Sequence, residues 1–156
     1  MRRNLRPEDL GDLLEQLQLA TLATRFADGT ILLSPVWHEW RDGGFNVVAG
    51  ANDVKVRHLK RDPRSSIVVA ESTPPYRGIE VRGAARVLPA GAPEALVRIS
   101  VRYLGRREGE AYAATLDAAE QVIVRLEPGV LRVWDFVDDY GPALPWSAAG
   151  RRSRLE

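Results

Sequence analysis

Asp28-Gly29 sits between two runs of apolar and β-branched residues, in the stretch LATLATRFADGTILLSPVWHEW. This arrangement restricts the fold more than any other feature, because a tight Asp-Gly turn between two such runs predicts a β-hairpin. Short apolar runs bounded by Gly, Asp or Pro then recur: FNVVAG, SSIVVAES, GIEVRGAARVLP, and two strands around Pro128-Gly129 in QVIVRLEPGVLRVWDF. In the third of these Ile79 and Val81 alternate with Glu80 and Arg82, as in a half-buried strand. Gly83 within it marks a bulge or a bend.

Helical periodicity occurs twice. Pro7 suits a first helical position, Glu8 and Asp9 suit the positive end of a helix dipole, and Leu10, Leu13, Leu14 and Leu17 follow at three- and four-residue spacing. A helix over 7–17 is predicted. A second helical region runs from Pro93 to Ala119, broken near Gly105–Gly109, where GRREGEAY reads as a solvated turn. The pattern predicts a mostly β fold with peripheral helices, a six- to seven-stranded antiparallel β-barrel whose closure would leave no edge strands. One domain is expected over 1–142, followed by a Pro-, Gly-, Ser- and Arg-rich tail over 143–156.

Composition removes several functions. The chain of 156 residues has no cysteine, which excludes a disulfide framework, a zinc–thiolate centre and a thiol nucleophile. Its only two histidines, His38 and His58, argue against a metal site. A formal charge of +1 gives no basis for nucleic-acid binding. No apolar run is long enough for a membrane span, and the N-terminus lacks a signal-peptide core, so a cytoplasmic protein is expected.

The chemistry concentrates in GANDVKVRHLKRDPRSS, from Gly50 to Ser66. Asn52 or Asp53 is a good helix N-cap, Pro63 ends the helix, and Val56 and Leu59 would face the core. Lys55 and Arg57 then occupy the start of the helix, where a cation is disfavoured by about 0.3–1 kcal/mol unless an anion sits there. Exposed N–H groups, the dipole and two cations would form a phosphate site. The alternative is a solvated basic face, Lys60, Arg61 and Arg64 above all. On a regular helix Lys55 and Arg57 also point about 200° apart, so both reach one phosphate only if the first turn is irregular.

Taken with LATLATRFADGT, SPVWHEW and YRGIEVRGAARV, the ungapped pattern Lys55, Arg57, Leu59, Arg61, Asp62, Pro63, Arg64 resembles the pyridoxamine-phosphate-oxidase-like split-barrel flavoproteins. Within them it is most similar to the oxidoreductases that use the deazaflavin coenzyme F420. The resemblance spans Leu17 to Phe136 and implies a split-barrel homodimer with cofactor sites between subunits. It implies a phosphate held by Asn52, Lys55 and Arg57, and a ring bedded on Ser34, Pro35, Val36 and Trp37 with Ala49 and Gly50. Tyr76 and Arg77 are placed by their position in such a fold as the residues that close the site from the opposite subunit.

Flavin-type chemistry is the cofactor's own, so no catalytic side chain is expected and the chain's part is binding and orientation. F420, with an acidic tail that a basic groove would suit, is the cofactor expected, with a small organic molecule as substrate. FMN is the alternative, and a cofactor carrier or ligand-sequestering dimer is the non-enzyme reading. Taken as single residues, apart from the resemblance, His38, His58, Trp37 and Trp40 read as packing or surface residues.

Overall fold

The computed structural model describes Arg2 and residues 5–140; the tail expected over 143–156 lies outside the described residues. Nine strands form two antiparallel sheets with three helices: β1 Ala20–Arg25, β2 Ile31–Val36, β3 Glu39–Arg41, β4 Gly44–Gly50, α1 Val54–Arg61, β5 Arg64–Ala70, β6 Gly78–Ala84, β7 Arg86–Leu88, α2 Ala92–Leu104, α3 Arg106–Ala114, β8 Gln121–Leu126 and β9 Val130–Trp134. One sheet runs β2-β1-β5-β6-β9 and the other β3-β4-β8-β7. The sheets do not close, so the architecture is a split barrel with edges at β2, β9, β3 and β7 rather than the edge-free barrel the pattern suggested. The short strands β3 and β7 raise the number above the six or seven expected.

The turn at Asp28-Gly29 forms as predicted. Gly29 has φ +87°, and Thr30 donates to Asp28 Oδ1 through both its N–H and its hydroxyl. β1 pairs with β2 from Ala20–Val36 to Arg25–Ile31 without a slip. Gly83 marks a bend, not a bulge. It pairs regularly with Ser65, and beyond Ala84 the chain leaves one sheet for β7 of the other. A Cβ at Gly83 would meet the Glu127 carbonyl at 2.9 Å, so glycine is needed for this approach.

Phe45, Leu22, Ile67, Ile79, Val47, Val69, Val81 and Val124 fill the space between the sheets. Val56 and Leu59 of α1 join that core, as their spacing predicted. A polar chain ties α2 to the second sheet: Arg98 donates to Glu39, Asn46 donates to Glu39, and buried Arg125 donates to Asn46 and to the carbonyls of Arg41 and Asp42.

Two helical expectations change. Instead of a helix over 7–17, Pro7–Leu10 forms one 3-10 turn and further turns follow. Gly11, at φ +60° and ψ −124°, leaves helical space. Leu10 and Leu13 are nevertheless buried and Leu14 partly so, whereas Leu17 is 58% exposed, so the spacing reported the buried face only over its first half. GRREGEAY is not a solvated turn; after the break at Gly105 it forms α3, which packs on α2 through buried Gly109 and Ala113. Among the described residues no helix is long and apolar enough to cross a membrane.

Candidate functional site

β4 ends at Gly50, and α1 begins four residues later with Asp53 as N-cap. The first helical hydrogen bond runs from Arg57 N–H to Asp53 O, so the N–H groups of Val54, Lys55 and Val56 precede it, and no side chain caps them. Lys55 and Arg57 both turn back toward this end. Lys55 Nζ donates to Asp53 Oδ2 at 2.7 Å, and Arg57 Nη1 donates to the Asn52 carbonyl at 3.4 Å. Although the two side chains leave opposite sides of the first turn, each reaches the Asn52-Asp53 segment, Lys55 through the Asp53 carboxylate and Arg57 through the Asn52 carbonyl. Two cations, three open N–H groups and a glycine strand end form a donor set that suits a phosphate. Asp53, expected from its position only as a cap, is the partner of Lys55, a role that depends on where its side chain turns.

The other expected residues lie further off. Ser34, Pro35 and Val36 are on β2, a sheet edge, which suits a proline that cannot donate to a ladder. Ala49 and Gly50 end β4 in the other sheet, so the residues expected to bed the ring lie on two sheets and do not form one continuous surface. Trp37 is not a bare shelf. Its ring stacks on Tyr103 at 5.1 Å with planes 6° apart and meets Tyr112 at 5.4 Å. It therefore fastens α2 and α3 to the β2–β3 connection. Nothing in the helical sequence announced this, since the two tyrosines come from opposite sides of the Gly105 break.

Arg77 also takes a different place from the one expected. It is 6% exposed and bound within its own chain: its guanidinium pairs with Glu71 and with Asp12 at 2.9 Å, and donates to the Leu10 carbonyl. Its charge pins the N-terminal turns to the β5–β6 connection. Tyr76 beside it is 39% exposed and sits at φ +58°, an uncommon conformation for an aromatic residue.

Neither histidine lies at the surface. His58 is buried, hydrogen-bonded to Thr24 Oγ1 at 3.1 Å and edge-on to Phe26; burial, Arg61 and Arg57 lower its pKa. His38 is fully buried, and its Nε2–H donates to the Gln18 carbonyl at 3.0 Å while Nδ1 has no partner. Burial and nearby Arg102 push it down to about 4, against the weaker opposing effect of the Gln18 bond. The folded state refuses a proton that the unfolded chain accepts near pH 6.5. The stability His38 contributes is thus complete above that pH and is lost as pH falls toward 4, by about 3 kcal/mol. Urea unfolding at pH 7 and pH 4 should show the unsubstituted chain losing that much more than His38→Gln; equal losses would refute the assignment.

Among the described residues no group of three or more acidic or histidine side chains is arranged to hold a metal ion. A separate open hollow of about 560 Å³ lies on the five-stranded sheet, lined by Arg25, Arg64 and Arg82 with Ala23, Ile31 and Val130.

The family model described as pyridoxamine 5'-phosphate oxidase matches residues 7–135. Among solved structures, the conserved hypothetical protein Rv2991 from Mycobacterium tuberculosis is 26% identical with a TM-score of 0.74, over 92% of this chain and 94% of that one. An F420 reductase is 28% identical with a TM-score of 0.68, over 81% of this chain and 98% of that one. HutZ, the heme storage protein from Vibrio cholerae, shares the fold at 19% identity and a TM-score of 0.61, over 81% of this chain and 93% of that one. No curated protein matches the chain significantly.

Proposed function

The chain belongs to the pyridoxamine 5'-phosphate oxidase family, and we propose that it is a homodimeric oxidoreductase that binds coenzyme F420 and acts on a small organic molecule. The observation that carries this reading is that Lys55 and Arg57 both reach back to the Asn52-Asp53 segment, before an α1 start that no side chain caps. The 28% identity to an F420 reductase favours F420 over FMN.

When bound, the deazaflavin supplies hydride transfer. Lys55, Arg57 and the N–H groups of Val54 to Val56 hold its phosphate, with Asn52 at the same turn. Ser34, Pro35 and Val36 at the end of β2 and Ala49 and Gly50 at the end of β4 would bed its ring. Trp37, next along the chain, would join that bed with its ring held by the stack on Tyr103. The chain contributes orientation and exclusion of water, and both of its histidines are too buried to exchange protons with a substrate.

A second copy is the partner the surface suits. On the two edge strands of the five-stranded sheet, Ile31, Leu33, Val130 and Leu131 are 38–63% exposed. Tyr76, exposed on the loop before β6, would meet the neighbouring site.

Titration of cofactor-free protein with F420 and, separately, FMN, followed by tryptophan fluorescence, tests the reading. Lys55→Ala should weaken F420 binding about 10- to 100-fold, the worth of one hydrogen bond to a charged group. Unchanged affinity would sink the phosphate assignment, and tighter binding of FMN would move the chain to flavin chemistry.

A further inference from the structure

The start of α1 carries an anion of its own. Asp53 occupies the N-cap, where a side-chain oxygen ordinarily accepts from the first N–H groups, yet it makes no such bond. Its Oδ2 instead accepts from Lys55 Nζ at 2.7 Å. Its Oδ1 lies 3.1 Å from where a Cβ on Gly50 would stand, so the carboxylate folds back over the end of β4. The Lys55 side chain is only 21% exposed there. Arg57, by contrast, reaches no acid among the described residues and donates to the Asn52 carbonyl.

We propose that Asp53 competes with the cofactor's phosphate for Lys55, and that this competition keeps simple inorganic anions out of the site. The inference rests on the reading above that the phosphate binds at this turn. A phosphate oxygen approaching Lys55 meets a carboxylate already at hydrogen-bond distance. Either the carboxylate turns away and gives up its ion pair, or two anions share one ammonium; both weaken binding. Lys55 and Arg57 bring two positive charges and Asp53 removes one, so the grip offers a single net charge to a free anion. Inorganic phosphate has nothing further to offer. A ligand whose ring buries apolar area beside this turn does, and that area offsets the loss. Asp53 thus makes the phosphate contact depend on the rest of the ligand.

The test uses Asp53→Asn and Asp53→Ser, both residue types favoured ahead of a helix, together with Lys55→Ala and the corresponding double variants. Calorimetry reads the affinity of each for inorganic phosphate, for F420 and for FMN. Both Asp53 variants should bind inorganic phosphate and F420 about tenfold more tightly than the unsubstituted chain, and the gain should vanish when Lys55→Ala is added. If Lys55→Ala weakens F420 binding but the Asp53 variants bind it equally or less tightly, Asp53 serves to position Lys55. The proposal then fails while the phosphate assignment stands. If Lys55→Ala changes nothing, both fall together.

Discussion

Replacing Arg77 with methionine is expected to cost about 3–5 kcal/mol of folding stability, the penalty for leaving a buried charge without its partner. Arg77 is buried beside Glu71, whose side chain is 9% exposed, and also bridges to Asp12 and the Leu10 carbonyl. Its loss would strand the Glu71 carboxylate and release the N-terminal turns from β6 in one step. Only the backbone N–H of residue 77 would still donate to Glu71, now at 3.0 Å. Urea unfolding measures the effect directly. Because a buried pair replaced whole by apolar residues is often near neutral, Arg77→Met with Glu71→Leu should recover much of the loss. A single substitution costing under about 1 kcal/mol would show that Glu71 reaches water when Arg77 is gone.

The second large effect is expected at Gly109. Here α3 crosses α2 so closely that a Cβ would stand 2.5 Å from the Val101 N and Cα atoms and 2.6 Å from the Ser100 carbonyl carbon. These are backbone atoms, so no rotamer change relieves the clash and the helices must separate. Elsewhere in a helix, glycine to alanine gains about 1 kcal/mol. At this crossing Gly109→Ala should instead lose about 1–3 kcal/mol, and Gly109→Leu should sit at or beyond the upper end. The damage should also reach the β2–β3 connection. Tyr112 on α3 rests against Trp37, so displacing α3 should alter the Trp37 environment and the tryptophan emission spectrum. Gain of stability in Gly109→Ala would refute the close crossing.

The elements fixed by local chemistry were legible in the sequence. Asp28-Gly29 set the β1–β2 hairpin, Asp53 and Pro63 bounded α1, and Pro128-Gly129 separated β8 from β9. What depends on distant partners was not. β8 and β9 read as neighbours along the chain yet join different sheets, since pairing is decided by which edge each strand meets. The 7–17 stretch had the right leucine spacing for a helix. Its backbone is set instead by Gly11 and by Arg77, 67 positions away from the Leu10 carbonyl it holds. At the site, Lys55 and Arg57 were readable from a charge that a helix start does not favour. The roles of Asp53, Tyr103 and Tyr112 were not readable, because each depends on where a side chain turns after the backbone is placed.

The end of β4 and the start of α1 are assigned as the seat of a cofactor's phosphate. In a crystal structure of the protein with F420 bound, that assignment places the phosphate within hydrogen-bond distance of Lys55 Nζ and the N–H groups of Val54 to Val56, with Asp53 turned off the lysine. A phosphate seated instead in the hollow between Arg25, Arg64 and Arg82, with Lys55 still paired to Asp53, would contradict it.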